Sequence, residues 1–72
     1  MTHAQVAEIL LNGVPVADAE GLSLAELLTR LGEPADAVAT ALNGSFVARD
    51  RRGEVRLAQG DRINLFKAIV GG

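Results

Sequence analysis

The residue types that most often do chemistry are scarce in this 72-residue chain, which has no cysteine and one histidine, and its most unusual arrangement is at its end. The absence of cysteine excludes a disulfide framework, a thiolate metal site and a cysteine nucleophile. The one histidine, His3, is interpreted as a surface residue near the N-terminus rather than a catalyst. The sequence ends with KAIVGG, an apolar stretch followed by Gly71 and Gly72. Because termini are usually polar, this ending requires an explanation.

Length and charge limit the possible functions. A chain of this length forms one domain that buries only about 60% of its unfolded surface, so an enclosed active site is not expected. The net charge of -2 argues against nucleic acid as a partner, since phosphate binding needs a basic field. The basic cluster at 49–52 contains Asp50 and is interpreted as a solvated loop. With no signal peptide and no apolar run near the roughly 20 residues that cross a bilayer, we expect a cytoplasmic protein without a membrane partner.

A β-hairpin is predicted in the segment VAEILLNGVPVAD. Asn12-Gly13 is a favoured two-residue turn, because both central positions of a type I′ turn take positive φ. The alternation along the strand predicts Ile9 and Leu11 in the core and Leu10 on the opposite side of the sheet. Pro15 in the return strand predicts a sheet edge, since proline cannot donate to a strand ladder.

The clearest helix is predicted in GLSLAELLTRLG. Ser23 as N-cap and Glu26 three residues later form a capping box. Gly32 supplies a left-handed stop, and Pro34 prevents continuation. The leucines follow the i, i+3, i+4, i+7 spacing of one apolar face, which is predicted to lie in the core: Leu24, Leu27, Leu28 and Leu31.

The second half of the chain is predicted to be strands and turns. AVATALNGSFVAR repeats the hairpin pattern around Asn43-Gly44, EVRL is a short alternating piece, and QGD is a turn. RINLFKAIV is the predicted last strand, with Ile63 and Leu65 inward and Asn64 and Phe66 outward.

The order of hairpin, helix and further strands predicts an α+β fold, with a mixed sheet of about four to five strands and one main helix across one face. The first and last strands would then lie side by side and parallel, as in the β-grasp, or ubiquitin-like, architecture. We expect residues 1–70 to form this single domain and residues 71–72 to form a flexible tail.

These elements together resemble the ThiS family, the sulfur carriers of thiamine biosynthesis. The resemblance rests on ILLNGVPV, SLAELLTRL and GDRINLFKAIVGG, and it covers nearly the whole chain. Its most specific part is Gly60-Asp61-x-Ile63 followed shortly by Gly71-Gly72 in a chain of β-grasp size. Asp61 is interpreted as a turn residue beside Gly60, not as a ligand.

The chain departs from the family pattern at one position, and a different segment distinguishes the family from its nearest alternative. Ala48 stands where the family often has the proline of Val-Pro-Arg, which is expected to relax the chain locally. The small subunit of molybdopterin synthase shares the fold and the glycine pair but usually carries Pro-Pro shortly before its terminus. The corresponding stretch at 66–69 has no proline, which favours the thiamine carrier.

The resemblance implies a reaction at the Gly72 carboxylate. A ThiF-type, E1-like adenylyltransferase would adenylate it using ATP and Mg, a sulfur donor enzyme would complete a thiocarboxylate, and ThiG-type thiazole synthase would receive the sulfur. The chain would be a protein co-substrate rather than an enzyme, binding no metal or cofactor itself. Adenylation converts a carboxylate oxygen, a poor leaving group, into a good one. Gly71 and Gly72 suit a narrow partner channel, since neither carries a Cβ.

A partner-docking surface is expected on the outward face of the sheet. Phe66 and Leu10 point away from the predicted helix on neighbouring strands, and Phe46 is expected to join them from another strand. Lys67 and Arg62 are expected at the polar rim of this surface. The alternative is that these are ordinary surface hydrophobic residues, or that Leu10 packs against a loop.

Ile69 and Val70 are expected to continue the last strand and to hold the base of the tail against the body or a partner. Two other functions stay open at this point. One is the small subunit of molybdopterin synthase or another thiocarboxylate carrier. The other is a β-grasp interaction module in which Gly71 and Gly72 are incidental and no carrier chemistry occurs.

Overall fold

The computed structural model of the chain describes residues 8–67. Its elements, in chain order, are strand β1 at Ile9–Leu11, β2 at Val14–Val16, helix α1 at Leu24–Leu31, β3 at Val38–Leu42, β4 at Ser45–Val47, a 3₁₀ helix at Arg49–Glu54 and β5 at Arg62–Lys67. The predictions made for residues 1–7 and 68–72 lie outside the described residues, among them those for His3, Ile69, Val70, Gly71 and Gly72.

The five strands form one mixed sheet in the order β2-β1-β5-β3-β4. β1 and β5 are parallel, and the other three neighbouring pairs are antiparallel. This arrangement, with α1 on one face, confirms the predicted β-grasp architecture. β2 is an edge strand, as Pro15 predicts.

Both Asn-Gly turns have the predicted backbone. Asn12 and Asn43 have φ of 49° and 51°, and the glycines that follow have φ of 84° and 86°. Each asparagine side chain also bonds to the central strand: Asn12 Oδ1 accepts from Leu65 N, and Asn43 Oδ1 accepts from Arg62 N, both at 2.9 Å. The two turns therefore fix the register of β5 from its two sides.

Helix α1 begins and ends as predicted. Ser23 Oγ accepts from Glu26 N at 3.0 Å while Glu26 Oε1 accepts from Ser23 N at 2.8 Å, which completes the capping box. Gly32 ends the helix with φ of 74°, and its N–H donates to the carbonyls of Leu28 and Thr29. The predicted leucine stripe is buried except for Leu31, which is 39% exposed at the end of the helix.

The core lies between α1 and the sheet face that it covers. In the described part of the chain it is entirely aliphatic and consists of Ile9, Ala19, Leu24, Leu27, Leu28, Val38, Leu57, Ile63 and Leu65. Within residues 8–67, no helix is long and apolar enough to cross a membrane.

Two predictions for the second half are wrong. The basic cluster is not a solvated loop but part of the 3₁₀ helix, and Arg52 is 3% exposed. EVRL does not form a strand: its one ladder contact is a bridge between Arg56 and Ser23. Bonds between residues 55–57 and 21–24 hold this segment, including Leu24 N to Val55 O at 2.9 Å. The pairing stops there because α1 begins at Leu24.

The predicted turn chemistry of Asp61 is confirmed. Its Oδ2 accepts from Ala58 N at 2.9 Å, and its Oδ1 accepts from Asn43 Nδ2 at 3.1 Å. Gly60 within this turn has φ of 85°, a conformation that favours glycine.

Candidate docking face and tail base

The sheet face opposite α1 carries the candidate docking residues. The register places Phe46, Ala41 and Asn64 in one row across β4, β3 and β5, and Phe66 beside Ala39 in the next row. Because cross-strand partners share a face, these five side chains lie on the same side of the sheet. Their outward direction follows from the strand alternation, since Leu65 and Ile63 on β5 are buried.

The two phenylalanines are the only aromatic residues of the chain, and both are on this face. Phe46 is 73% exposed and Phe66 is 57% exposed. They lie two strands apart, or about 10 Å across the sheet, with the half-buried Ala39 and Ala41 between them. We call Phe46, Ala41, Ala39 and Phe66 the Phe face. Two large apolar side chains beside a strip of small ones form a surface that a partner side chain can fill.

Leu10 is on the same side of the sheet but apart from the Phe face. It is half-buried, and its cross-strand neighbours are Pro15 on β2 and Arg62 on β5. Arg62 precedes Phe66 by four residues, about 13 Å along the strand, with Asn64 between them. The expected single apolar group of three residues is therefore divided, because the β1–β5 register aligns Leu10 with the beginning of β5 rather than with its end.

Lys67 does not belong to the rim of the Phe face. It pairs with the buried Val38, which places it on the helix side of the sheet. Its Nζ lies 3.4 Å from Glu33 Oε1, in the segment that follows α1. Arg62, in contrast, is exposed on the outward side, as predicted.

The described part of β5 ends beside a groove, which we call the tail base. The groove has a volume of about 320 Å³ and is lined by Asp36, Ala37, Val38, Ala39, Phe66 and Lys67. The next residue along the chain is Ala68, and four residues later the sequence reaches Gly72. The tail base therefore adjoins the Phe face through Phe66 and the helix side through Lys67.

Sequence reasoning missed Arg52, which supports this end of the sheet. Its Nε donates to Thr40 Oγ1 at 3.1 Å, Nη1 to Ala35 O at 2.9 Å and Nη2 to Val38 O at 2.6 Å. Thr40 is fully buried and donates in turn to Val47 O at 3.0 Å. No pattern in RDRR distinguishes Arg52 from its neighbours, because its acceptors come together only in the folded chain.

Within residues 8–67, the carboxyl with a lowered pKa belongs to the helix cap and not to the docking face. The Ser23 backbone N–H, which donates to Glu26 Oε1, lowers the pKa of the Glu26 carboxyl below its ordinary value of 4.5. The Ser23 hydroxyl and Arg56, at 3.5 Å, act in the same direction, and desolvation opposes them. Within the part of the chain that the structure describes, no three His, Cys, Asp or Glu side chains are grouped to hold a metal ion.

Comparison with known proteins identifies close similarity over nearly the whole length. The model of the ThiS family matches residues 4–72. The crystal structure of a thiamine biosynthesis protein (ThiS) from Geobacter metallireducens is 31% identical, with a TM-score of 0.75; the match covers 90% of this chain and 99% of that one. A solution NMR structure of a thiamine biosynthesis protein from the same organism is 31% identical, with coverage of 90% and 87% and a TM-score of 0.73. No curated protein matches the chain.

Proposed function

Because the chain belongs to the ThiS family, we propose that it is the sulfur carrier that supplies thiazole formation in thiamine biosynthesis. The observation that carries this proposal is the family match over residues 4–72, which includes both Gly71 and Gly72. The similarity of the fold to the thiamine biosynthesis protein from Geobacter metallireducens supports it.

The proposed chemistry takes place at the carboxylate of Gly72. An E1-like, ThiF-type enzyme joins this carboxylate to the AMP part of ATP and releases pyrophosphate. A sulfur donor enzyme then replaces AMP with sulfur, leaving a thiocarboxylate whose sulfur passes to a ThiG-type thiazole synthase. ATP and magnesium are held by the activating partner, so this chain is a co-substrate that the partner enzymes act upon.

The composition of the chain supports the carboxylate as the carrying group. A protein can carry sulfur on a cysteine thiol, but none of the 72 residues is cysteine. Gly71 and Gly72 add no side chain that would collide with the walls of a partner's channel. Because so small a tail supplies little binding energy, docking has to come from the folded body and from the apolar residues before the glycines, Ile69 and Val70.

We propose that the Phe face is this docking surface, with Phe46 and Phe66 as its anchors. Large exposed apolar side chains at the centre of a surface are typical of binding anchors. Phe66 also lies beside the tail base, so a partner that covers it is positioned to receive the residues leading to Gly72. Leu10 and Arg62 form a second, smaller contact on the same side of the sheet.

Intact-mass measurement tests the carrier chemistry directly. The full chain is incubated with a ThiF-type enzyme, ATP, magnesium and a sulfur donor, and we expect one oxygen to be exchanged for one sulfur. A chain lacking Gly72, or extended by one residue after it, is the matched control and should remain unmodified while keeping its fold.

Two results would contradict the proposal. One is the absence of exchange with an activating enzyme that modifies another carrier in parallel, which would favour an interaction module without carrier chemistry. The other is stable pairing with the large subunit of molybdopterin synthase but not with thiazole synthase, which would assign the chain to a different sulfur pathway.

A further inference from the structure

Arg52 is buried beneath the strand that holds the end of β5. Its three guanidinium nitrogens donate to Thr40 Oγ1, Ala35 O and Val38 O at 2.6–3.1 Å. All three acceptors are neutral, and all belong to β3 or to the segment that leads into it. Within residues 8–67, no carboxylate forms an ion pair with Arg52.

Burying a cation without a counterion costs free energy. The guanidinium group loses its hydration, and only complete hydrogen bonding offsets that loss. An apolar side chain of similar volume would serve packing alone at lower cost. What arginine adds is a rigid planar fork that fixes several acceptors in defined directions. We infer that the role of Arg52 is to hold Thr40 Oγ1, Ala35 O and Val38 O in fixed positions.

The acceptors lie at the end of the sheet where the chain continues toward Gly72. β4 pairs with β3 only as far as Thr40, opposite Val47, so it does not reach Val38. The Arg52 guanidinium binds the Val38 carbonyl beyond that point. On its other side, Val38 is paired with Lys67, the last residue of β5.

Lys67 also has a contact with a different segment of the chain. Glu33 Oε1 lies 3.4 Å from Lys67 Nζ, and the Glu33 side chain is only 21% exposed. Lys67 thus lies opposite Val38, which Arg52 anchors, and its own side chain is held by Glu33.

We propose that Arg52 is a positioning residue for Gly72: by anchoring the start of β3, it fixes the end of β5, from which the chain continues toward Gly72. Glu33 assists through Lys67. This inference rests on the proposed function at the Gly72 carboxylate. Gly72 lies five residues after Lys67, a span of at most about 17 Å. A displaced end of β5 therefore changes the point from which these five residues start relative to a docked partner, and a small misplacement of a reacting group is enough to slow its reaction.

Amide hydrogen exchange tests the structural part of the inference. Arg52→Met removes the fork and keeps an unbranched apolar stem, while Arg51→Met in the same 3₁₀ helix is the control, since that side chain is 69% exposed. The strand register directs the Phe66 N–H toward β3. We expect its exchange to become about tenfold faster in Arg52→Met, with the Arg62 amide at the other end of β5 changed less than about twofold. Equal acceleration of both amides, or of neither, would overturn the inference.

Activation kinetics test its consequence. With a ThiF-type enzyme, we expect Arg52→Met to lower kcat for adenylation about five- to tenfold and to leave KM for the carrier within about twofold, because the Phe face still docks. Leu57→Ala, which removes a buried side chain elsewhere in the core, controls for lost stability. It should keep the wild-type kcat per folded molecule. An equal loss of kcat in both variants would make Arg52 a purely structural residue.

A third variant keeps the inference testable if Arg52→Met does not fold. Glu33→Gln retains the buried arginine and removes only the ion pair with Lys67, so we expect a two- to threefold lower kcat. An unchanged kcat in Glu33→Gln would then overturn the inference. If the wild-type chain itself is not adenylated, the proposed function is wrong, while the exchange pattern at Phe66 still decides whether Arg52 fixes the end of β5.

Discussion

Consecutive residues of β5 lie on opposite faces of the sheet, and the two faces differ in character. Ile63 and Leu65 point toward α1 and are 1% and 9% exposed, whereas Asn64 and Phe66 point away and are exposed. α1 closes the inner face, and no element within residues 8–67 closes the outer one. One strand thus serves both the stability of the fold and the presentation of an apolar surface, and it separates the two by alternation.

The composition of the two faces differs as sharply as their exposure. Among residues 8–67, the nine buried hydrophobic residues are all alanine, valine, leucine or isoleucine, and both phenylalanines are outside. A domain with a thin core normally benefits from burying its aromatic side chains, because each removes a large apolar area from water. Leaving both outside costs that benefit, which is the strongest structural support for a docking role of the Phe face.

The largest expected effect comes from the inner face. Leu27 is fully buried on α1, so Leu27→Ala should lower the free energy of unfolding by about 2–5 kcal/mol. A domain of this size has only about 4–11 kcal/mol in total, so part of the population should unfold. Urea denaturation followed by circular dichroism measures the change. Leu31→Ala, on the same helix but 39% exposed, is the control and should cost less than about 1 kcal/mol. If both variants lost the same free energy of unfolding, burial on α1 would not distinguish Leu27 from Leu31.

The outer face should show the reverse pattern. Phe66→Ala is expected to weaken binding to a ThiF-type enzyme by about 10- to 100-fold, while changing the free energy of unfolding by less than about 1 kcal/mol. Titration calorimetry and urea denaturation of the same sample give the two quantities. Phe46→Ala should behave similarly.

Leu10→Ala is the matched control for this prediction, because Leu10 shares the face but is separated from Phe66 by Arg62 and Asn64. We expect it to reduce affinity by less than about threefold. A loss as large as that of Phe66→Ala would extend the docking surface across the whole sheet. A loss of stability in Phe66→Ala that exceeds its loss of affinity would place Phe66 among the structural residues.

The two Asn-Gly turns that bond to β5 should have an intermediate effect on the free energy of unfolding. Asn12→Gly keeps the positive φ of the turn but removes the bond from Leu65 N–H to Asn12 Oδ1, at an expected cost of about 1 kcal/mol. Asn12→Ala should cost about 1 kcal/mol more, because alanine resists positive φ. The same pair of substitutions at Asn43 tests the bond to Arg62 N–H. An Asn12→Gly variant as stable as the wild type would show that the turn needs only its backbone conformation.

The parts of this fold that the sequence predicts are the ones coded locally. The Asn-Gly turns, the Ser23–Glu26 capping box and the alternation of β5 each involve neighbouring residues, and the structure confirms all three. The outward direction of Phe66 follows from that alternation.

What the sequence does not predict depends on contacts between distant segments. The separation of Leu10 from the Phe face is set by the β1–β5 register, and the burial of Arg52 is set by carbonyls 14 and 17 residues away. Lys67 is a different case: the alternation that turns Phe66 outward already turns Lys67 to the helix side, so its expected place at the rim of the docking surface is inconsistent with that local pattern. The order of elements is therefore predictable here, whereas the composition of the candidate surface requires the structure.

The smallest expected effect is a pH dependence of stability that arises at the cap of α1. The pKa of Glu26 is lowered in the folded chain by the Ser23 N–H. The ionised carboxylate therefore stabilises the fold above the ordinary pKa of 4.5. This stabilisation is lost as the pH falls through the pKa of the folded chain. Glu26→Gln can still accept the Ser23 N–H bond but cannot ionise. Thermal unfolding of both proteins from neutral to strongly acidic pH should show the wild type more stable at neutral pH and the two curves converging in acid. A constant difference across this range would mean that the carboxylate charge adds nothing to the cap. Binding by the Phe face should be insensitive to this substitution, because α1 and the Phe face lie on opposite sides of the sheet.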